Sequence, residues 1–213
     1  MRAKHGIEGL YAITPDIADT DELLRRVRPA LQGGARVLQY RNKAADAVLR
    51  LRQASALREL ARQFGATFIV NDDARLAAEA NAEGVHLGGE DGSVAAARAL
   101  LGPGKVIGVS CYNRVSLAHE AVQQGADYVA FGAFFPSSGK PGAVKADVEM
   151  LRAVRNELDV PIVAIGGITQ QNGAALVEAG ADALAVISAL WNAPDIEQAA
   201  REFSNLFMQG RPA

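Results

Sequence analysis

Short apolar, β-branched stretches alternate with longer helical stretches along the whole of this 213-residue chain, and that alternation constrains the fold more than any other feature. Strands that are separated by helices build a parallel sheet, because a parallel neighbour needs a crossover connection. The strand candidates are Gly9 to Thr14, Arg36 to Arg41, Thr67 to Asn71, Gly84 to Leu87, Val106 to Ser110, Asp127 to Gly132, Pro161 to Ile165 and Asp182 to Ile187. Each has an ordinary strand length. Between them the apolar spacing turns helical, as in Leu23, Leu24, Val27, Ala30 and Leu31, or Ile196, Ala199, Ala200, Phe203, Leu206 and Phe207 near the end. Glycines mark the helix stops at Gly33-Gly34, Gly65, Gly84, Gly102, Gly125 and Gly180. A weak echo in Gly34-Ala-Arg-Val, Gly125-Ala-Asp-Tyr and Gly180-Ala-Asp-Ala, each leading into a strand, says that the βα unit repeats. Pro29 inside the first helical stripe removes a hydrogen bond, which predicts a kinked or shortened helix.

Eight βα pairs without a linker or low-complexity stretch predict an α/β fold, a (β/α)8 TIM barrel forming a single domain over residues 1–213. A doubly wound sheet is the weaker alternative, since Thr14-Pro15-Asp16 stands where a nucleotide fold would place a glycine-rich turn. With 22 Lys and Arg against 24 Asp and Glu, the chain has no broad cationic field for nucleic acid or anionic lipid, so any anion site must be a local cluster. No apolar run approaches the roughly 18 residues of a membrane span, and a cytoplasmic location is expected. The single cysteine, Cys111, excludes an internal disulfide and a thiolate metal cluster.

A barrel places its chemistry on the loops after the strand C-terminal ends. Gln39-Tyr40-Arg41-Asn42-Lys43 puts two cations and two amides there after the second strand, a candidate anion site. The third strand ends in Asn71-Asp72-Asp73 and the loop after the fourth carries Asp91. Asp72 and Asp91, on neighbouring strand ends, suit Mg²⁺, which favours oxygen ligands and leaves positions for substrate phosphates. The competing explanation for these acids is helix capping, and Asp73 is the expected cap. After the sixth strand, Phe134-Phe-Pro-Ser-Ser-Gly-Lys140 joins hydroxyls, a glycine and a lysine in a candidate phosphate cradle. Gly166-Gly167 and Ser188 after strands seven and eight stand where barrels commonly bind phosphate. His86 reads as a hydrogen-bonded interior histidine, His5 and His119 as surface residues, and Trp191 as an anchor for the last helix. Cys111 has no neighbouring base and is assigned no catalysis.

Taken in order, these motifs resemble the thiamine-phosphate synthase family. The resemblance runs from Gly9-Leu-Tyr-Ala-Ile-Thr14 to Ala185-Val-Ile-Ser-Ala-Leu190. It includes Ile69-Val-Asn-Asp72, Gly84-Val-His-Leu-Gly88 with Glu90-Asp91, Ile107-Gly-Val-Ser110, Gly125-Ala-Asp-Tyr128, Lys140 and Ala164-Ile-Gly-Gly-Ile168. It implies that Gln39, Tyr40, Arg41, Asn42, Lys43, Asn71, Ser110 and Lys140 bind hydroxymethylpyrimidine diphosphate, with Arg41, Lys43, Lys140 and Ser110 as the catalytic set. It further implies that Asp72 and Asp91 hold Mg²⁺ and that Ser137, Ser138, Gly139, Gly167, Ile187 and Ser188 surround hydroxyethylthiazole phosphate. Two residues depart from the family pattern: Gly139 stands where a threonine is usual, and Tyr112 where histidine is frequent.

The implied reaction breaks a C–O bond to pyrophosphate and joins the pyrimidine carbon to the thiazole nitrogen. An electron-rich aminopyrimidine can stabilise the carbocation, so a dissociative substitution with an anion clamp and no general base is expected. Small molecules are the expected partners, nucleic acid and membranes are not, and self-association into a homo-oligomer is compatible with the sequence. Two other functions compete: a thiazole tautomerase, which needs neither metal nor pyrophosphate clamp, and a non-catalytic phosphate-metabolite binding protein.

Overall fold

A computed structural model describes residues 6–89, 91–136 and 144–209. Eight parallel strands close into a barrel in chain order: β1 (Gly9–Ile13), β2 (Val37–Tyr40), β3 (Thr67–Asn71), β4 (Gly84–Leu87), β5 (Val106–Tyr112), β6 (Tyr128–Phe131), β7 (Ile162–Ile165) and β8 (Ala183–Val186). β1 pairs with both β2 and β8, which closes the cylinder. The helices between them are α1 (Thr20–Gln32), α2 (Ala47–Gln63), α3 (Ala74–Glu79), α4 (Val94–Leu101), α5 (Val115–Gln123), α6 (Val148–Arg155) and α7 (Gly173–Glu178). After β8 come a short α8 (Ser188–Trp191) and α9 (Ile196–Gln209).

Strand alternation divides the core in two. Leu10, Leu38, Phe68, Val85, Ile107, Val129 and Leu184 face out and pack under the helices. Tyr11, Val37, Ile69, Val106, Tyr128 and Val163 face in and fill the barrel. Five of the helices between strands begin with a side chain accepting the N–H three residues on, from Asp19, Asp46, Asp73, Ser93 and Asp147, and Asp195 does the same for α9. All five caps lie on the mouth side, because every helix between strands starts where a strand has ended. The expected cap at Asp73 is among them, donated to by Leu76 N–H at 2.9 Å.

Three expectations need correcting. α1 is not shortened: it continues through Pro29 to Gln32 although Pro29 offers no N–H to Arg25 O, with Leu23, Val27, Ala30 and Leu31 buried on its inner face. Gly84 is the first residue of β4 and not a helix stop; the left-handed residue after α3 is Asn81, at φ 51°. Trp191 belongs to α8 and fastens it to the end of β1 by donating Nε1–H to Ile13 O at 2.6 Å, so it anchors the penultimate helix.

Candidate active site at the barrel mouth

β2 carries Gln39 inward and delivers Arg41 to the mouth. Thr14, buried after β1, clasps the Arg41 backbone on both sides: Arg41 N–H donates to Thr14 Oγ1 at 2.9 Å, and that hydroxyl donates to Arg41 O at 3.0 Å. Asp16 then takes Arg41 Nη1 at 3.5 Å and the Lys43 N–H at 3.2 Å. The cationic loop is therefore tied to the β1 end rather than left free in solvent. Lys43 reaches across to β3, with Nζ 3.7 Å from Asp72 Oδ2.

Asp72 leaves β3 in the left-handed region, at φ 65°, and its N–H donates to His86 O of β4 at 2.8 Å. This turn separates its role from that of Asp73 beside it, which caps α3. Asp91 accepts Gly88 N–H at 2.8 Å and comes beside Asp72. Burial and the adjacent Asp91 raise the Asp72 carboxyl above its ordinary range, against the pull of Lys43 and Asn71. Among the described residues no group of three or more His, Cys, Asp or Glu side chains gathers in a metal-binding arrangement, and Asp72 and Asp91 are the two carboxylates in contact there. A cavity of about 600 Å³ opens here, with Arg41, Lys43, Arg50, Asn71, Asp72 and Asp91 in its wall.

Across the mouth, Gly166 and Gly167 both have positive φ, 102° and 63°. A Cβ on Gly167 would lie 2.5 Å from Pro136 O and 2.6 Å from Phe135 O, so this pair lets the loop after β6 lie directly on the loop after β7. The two loops are joined there by Phe135 N–H donating to Gly166 O at 3.0 Å. Ile187 and Ser188 are exposed where α8 begins.

The family model described as Thiamine monophosphate synthase matches residues 10–190. This chain belongs to that family. A thiamine-phosphate synthase of Methylobacillus flagellatus is 57% identical over 201 residues, covering 94% of this chain and 96% of that protein. The solved thiamine phosphate pyrophosphorylase of Pyrococcus furiosus superposes with a TM-score of 0.86 at 34% identity, covering 96% of this chain and 98% of that one. Orotidine 5'-phosphate decarboxylase of Pyrococcus horikoshii, at TM-score 0.69 and 16% identity, shares the barrel alone.

Within this thiamine monophosphate synthase barrel, Arg41, Lys43, Asn71, Asp72 and Asp91 line one cavity at the mouth, while Gln39 and Ser110 lie on the inner face, hydrogen-bonded to Tyr11 and His86. Tyr40 and Asn42 of the same motif also line that cavity, with most of each side chain turned into the protein. Tyr40 follows strand alternation outward: it is buried under α2, donates its phenol to Gln53 Oε1 at 2.8 Å, and is pushed up to about 12 by that burial. Asn42 is buried too, donating to Ile17 O and Gln53 Oε1 and accepting from the N–H groups of Ala44 and Ala45, so its amide is spent on shaping the loop. Both keep atoms in the cavity wall while they brace the Arg41 and Lys43 loop from behind. Ser137, Ser138, Gly139 and Lys140 lie outside the described residues. Sequence reasoning missed Thr14 and Asp16, which it weighed only as a missing glycine-rich turn; their place at the end of β1, beside a cationic loop on β2, was the available signal. Tyr112, at φ 57°, brings its hydroxyl to Gly89 N–H at 3.3 Å and closes over the loop that carries Asp91.

Proposed function

We propose that this mouth catalyses the thiamine-phosphate synthase reaction, in which the pyrimidine methylene of hydroxymethylpyrimidine diphosphate is transferred to the ring nitrogen of hydroxyethylthiazole phosphate and pyrophosphate leaves. The observation that carries this reading is the convergence of Arg41 and Lys43 with Asp72 and Asp91 on one cavity in a member of this family. Charge builds on the departing diphosphate, so preorganised cations lower the barrier most. Arg41, held by Asp16 and Thr14, and Lys43 meet the diphosphate, together with Lys140. Gln39, Asn71 and Ser110 orient the pyrimidine, whose own electrons stabilise the cation, and no side chain has to act as general base.

Asp72 and Asp91 would hold Mg²⁺. The fit is chemical: both donors are oxygens, two carboxylates leave positions for phosphate oxygens, and the crowding that raises Asp72 is relieved by a nearby cation. When bound, the ion supplies positive charge to the diphosphate. Ser137, Ser138, Gly139, Gly167, Ile187 and Ser188 orient the thiazole phosphate on the opposite side. The barrel wall keeps water from the carbocation. A cytoplasmic location goes with this reading; among the described residues no helix is long and apolar enough to cross a membrane.

Pyrophosphate release is the test, measured with each substrate alone and with both, with and without Mg²⁺. Release that needs both substrates and Mg²⁺ is expected. Isomerisation of the thiazole alone would favour a tautomerase, and binding without turnover a metabolite-binding protein.

A further inference from the structure

Five side chains from five strands form an unbroken hydrogen-bonded line through the barrel, of which the site above uses only the two ends. Gln39 Nε2 donates to Tyr11 Oη at 2.9 Å, and Tyr11 Oη lies 2.8 Å from Tyr128 Oη. Tyr128 Oη is 2.9 Å from His86 Nδ1, and His86 Nε2 is 2.9 Å from Ser110 Oγ. Both phenols are buried, and Gly108 exists to admit one of them: a Cβ there would sit 1.9 Å from the Tyr128 ring. The imidazole also stacks on that ring, with centroids 5.5 Å apart.

We propose that Tyr11, Tyr128 and His86 are positioning residues that fix the direction of this line, so that Ser110 meets the pyrimidine substrate as a hydrogen-bond donor. The proposal rests on the reading above that Gln39 and Ser110 contact that substrate.

Counting protons sets the direction. The Gln39 amide nitrogen can only donate, so Tyr11 accepts from it and must give its own proton to Tyr128, its other partner. Tyr128 then gives its proton to His86 Nδ1. That leaves the imidazole neutral with its proton on Nε2, donated to Ser110 Oγ, and the serine proton free to point at the cavity. In the opposite direction Ser110 donates to Nε2, Nδ1–H to Tyr128, and Tyr128 to Tyr11. Tyr11 would then accept from both Gln39 and Tyr128, and its proton would have no acceptor among the described residues. A doubly protonated imidazole strands the same phenol proton. Only one arrangement satisfies every buried donor.

The ligand-free protein labelled with ¹⁵N-histidine reads this direction, since His86 is one of three histidines and its signals vanish in His86→Gln. The Nε2–H tautomer is expected, and an Nδ1–H tautomer overturns the proposal. With both substrates saturating, Tyr128→Phe should lower kcat about tenfold, the worth of one lost hydrogen bond, and leave the KM for thiazole phosphate unchanged. In a Ser110→Ala background the same substitution should cost nothing further. Equal losses in both backgrounds would mean that Tyr128 acts by packing alone, and would overturn the proposal. If Tyr128→Phe does not fold, the tautomer read on the wild-type protein decides the proposal by itself. A wild-type protein that releases no pyrophosphate defeats the synthase reading and leaves the tautomer to decide the relay.

Discussion

The two ends of the barrel use carboxylates in opposite ways. At the bottom, Asp127 stands just before β6 and Asp182 just before β8, and both are satisfied by the same device. Asp127 takes Arg98 at 2.6 Å and the Ile107 N–H at 2.8 Å; Asp182 takes Arg155 at 2.7 Å and the Ile162 N–H at 2.8 Å. Each aspartate N–H is returned to the same neighbour, Ile107 O or Ile162 O. Glu83 before β4 repeats the pattern more loosely, with Arg58 at 3.3 Å and the Phe68 N–H at 3.3 Å. These acids tie β4, β6 and β8 each to the strand before it. At the mouth, Asp72 and Asp91 crowd one another, with a half-exposed Lys43 as the nearby cation. Charge is neutralised where it holds the cylinder and left in deficit where a ligand is to supply the balance, a division that suits a fold whose bottom stabilises and whose top reacts.

The largest expected effect breaks the bottom end. Arg155 is nearly buried, and Arg155→Met would keep its packing volume while taking the guanidinium away from Asp182. Chemical denaturation should show a loss of about 3–5 kcal/mol, the usual cost of stripping one partner from a buried pair. Turnover per folded molecule should be unaffected, because no part of this pair reaches the mouth. A variant as stable as the wild type but slow would reverse the division.

The next effect is the mirror image. Arg41→Ala should slow turnover by about 10²–10³, corresponding to about 2.7–4 kcal/mol in the transition state. Asp72→Asn sharpens the point through its sign. A carboxyl raised in the folded state is one whose ionised form folding disfavours, so at neutral pH its charge costs stability that the amide does not. Asp72→Asn should therefore melt no lower than the wild type while losing Mg²⁺-dependent activity; a lower melting temperature would make Asp72 a structural residue like Asp182.

The bottom device was half legible in the sequence. The repeated Gly-Ala-Asp announced a recurring unit, but the arginines that complete it come from the preceding helices, and no local pattern joins Arg98 to Asp127 or Arg155 to Asp182. Strand positions were readable from short apolar stretches bounded by turns: β3 and β4 have the expected bounds, β1, β2, β6, β7 and β8 are shorter by one residue at one or both ends, and β5 runs two residues further, to Tyr112. With Gln39 facing in, period-2 alternation already sends the Tyr40 ring outward under α2, although Tyr40 also keeps a place in the cavity wall. Of the interior relay only the hydrogen-bonded, inward place of His86 was legible. Alternation says that Tyr11, Gln39, His86, Ser110 and Tyr128 face inward, yet which of them meet depends on barrel stagger and on the space left by Gly108, neither of which the sequence displays.

The smallest effect lies within a single strand, where the two kinds of environment are one residue apart. A register shift between Ser110 and Tyr112 on β5 leaves Ser110 at the mouth and turns Cys111 into the core, fully buried. Burial pushes its thiol up to about 12, so almost none is thiolate at neutral pH, and the thiolate is the species that reacts. Iodoacetamide should label the native protein no faster than it unfolds and the denatured protein readily, with substrates offering no further protection. Cys111→Ala should cost about 1 kcal/mol of packing and no activity. Rapid labelling of the native chain that substrates suppress would instead put Cys111 on the mouth side of the strand, and the boundary between the charged cavity and the packed shell would have to be redrawn one residue further in.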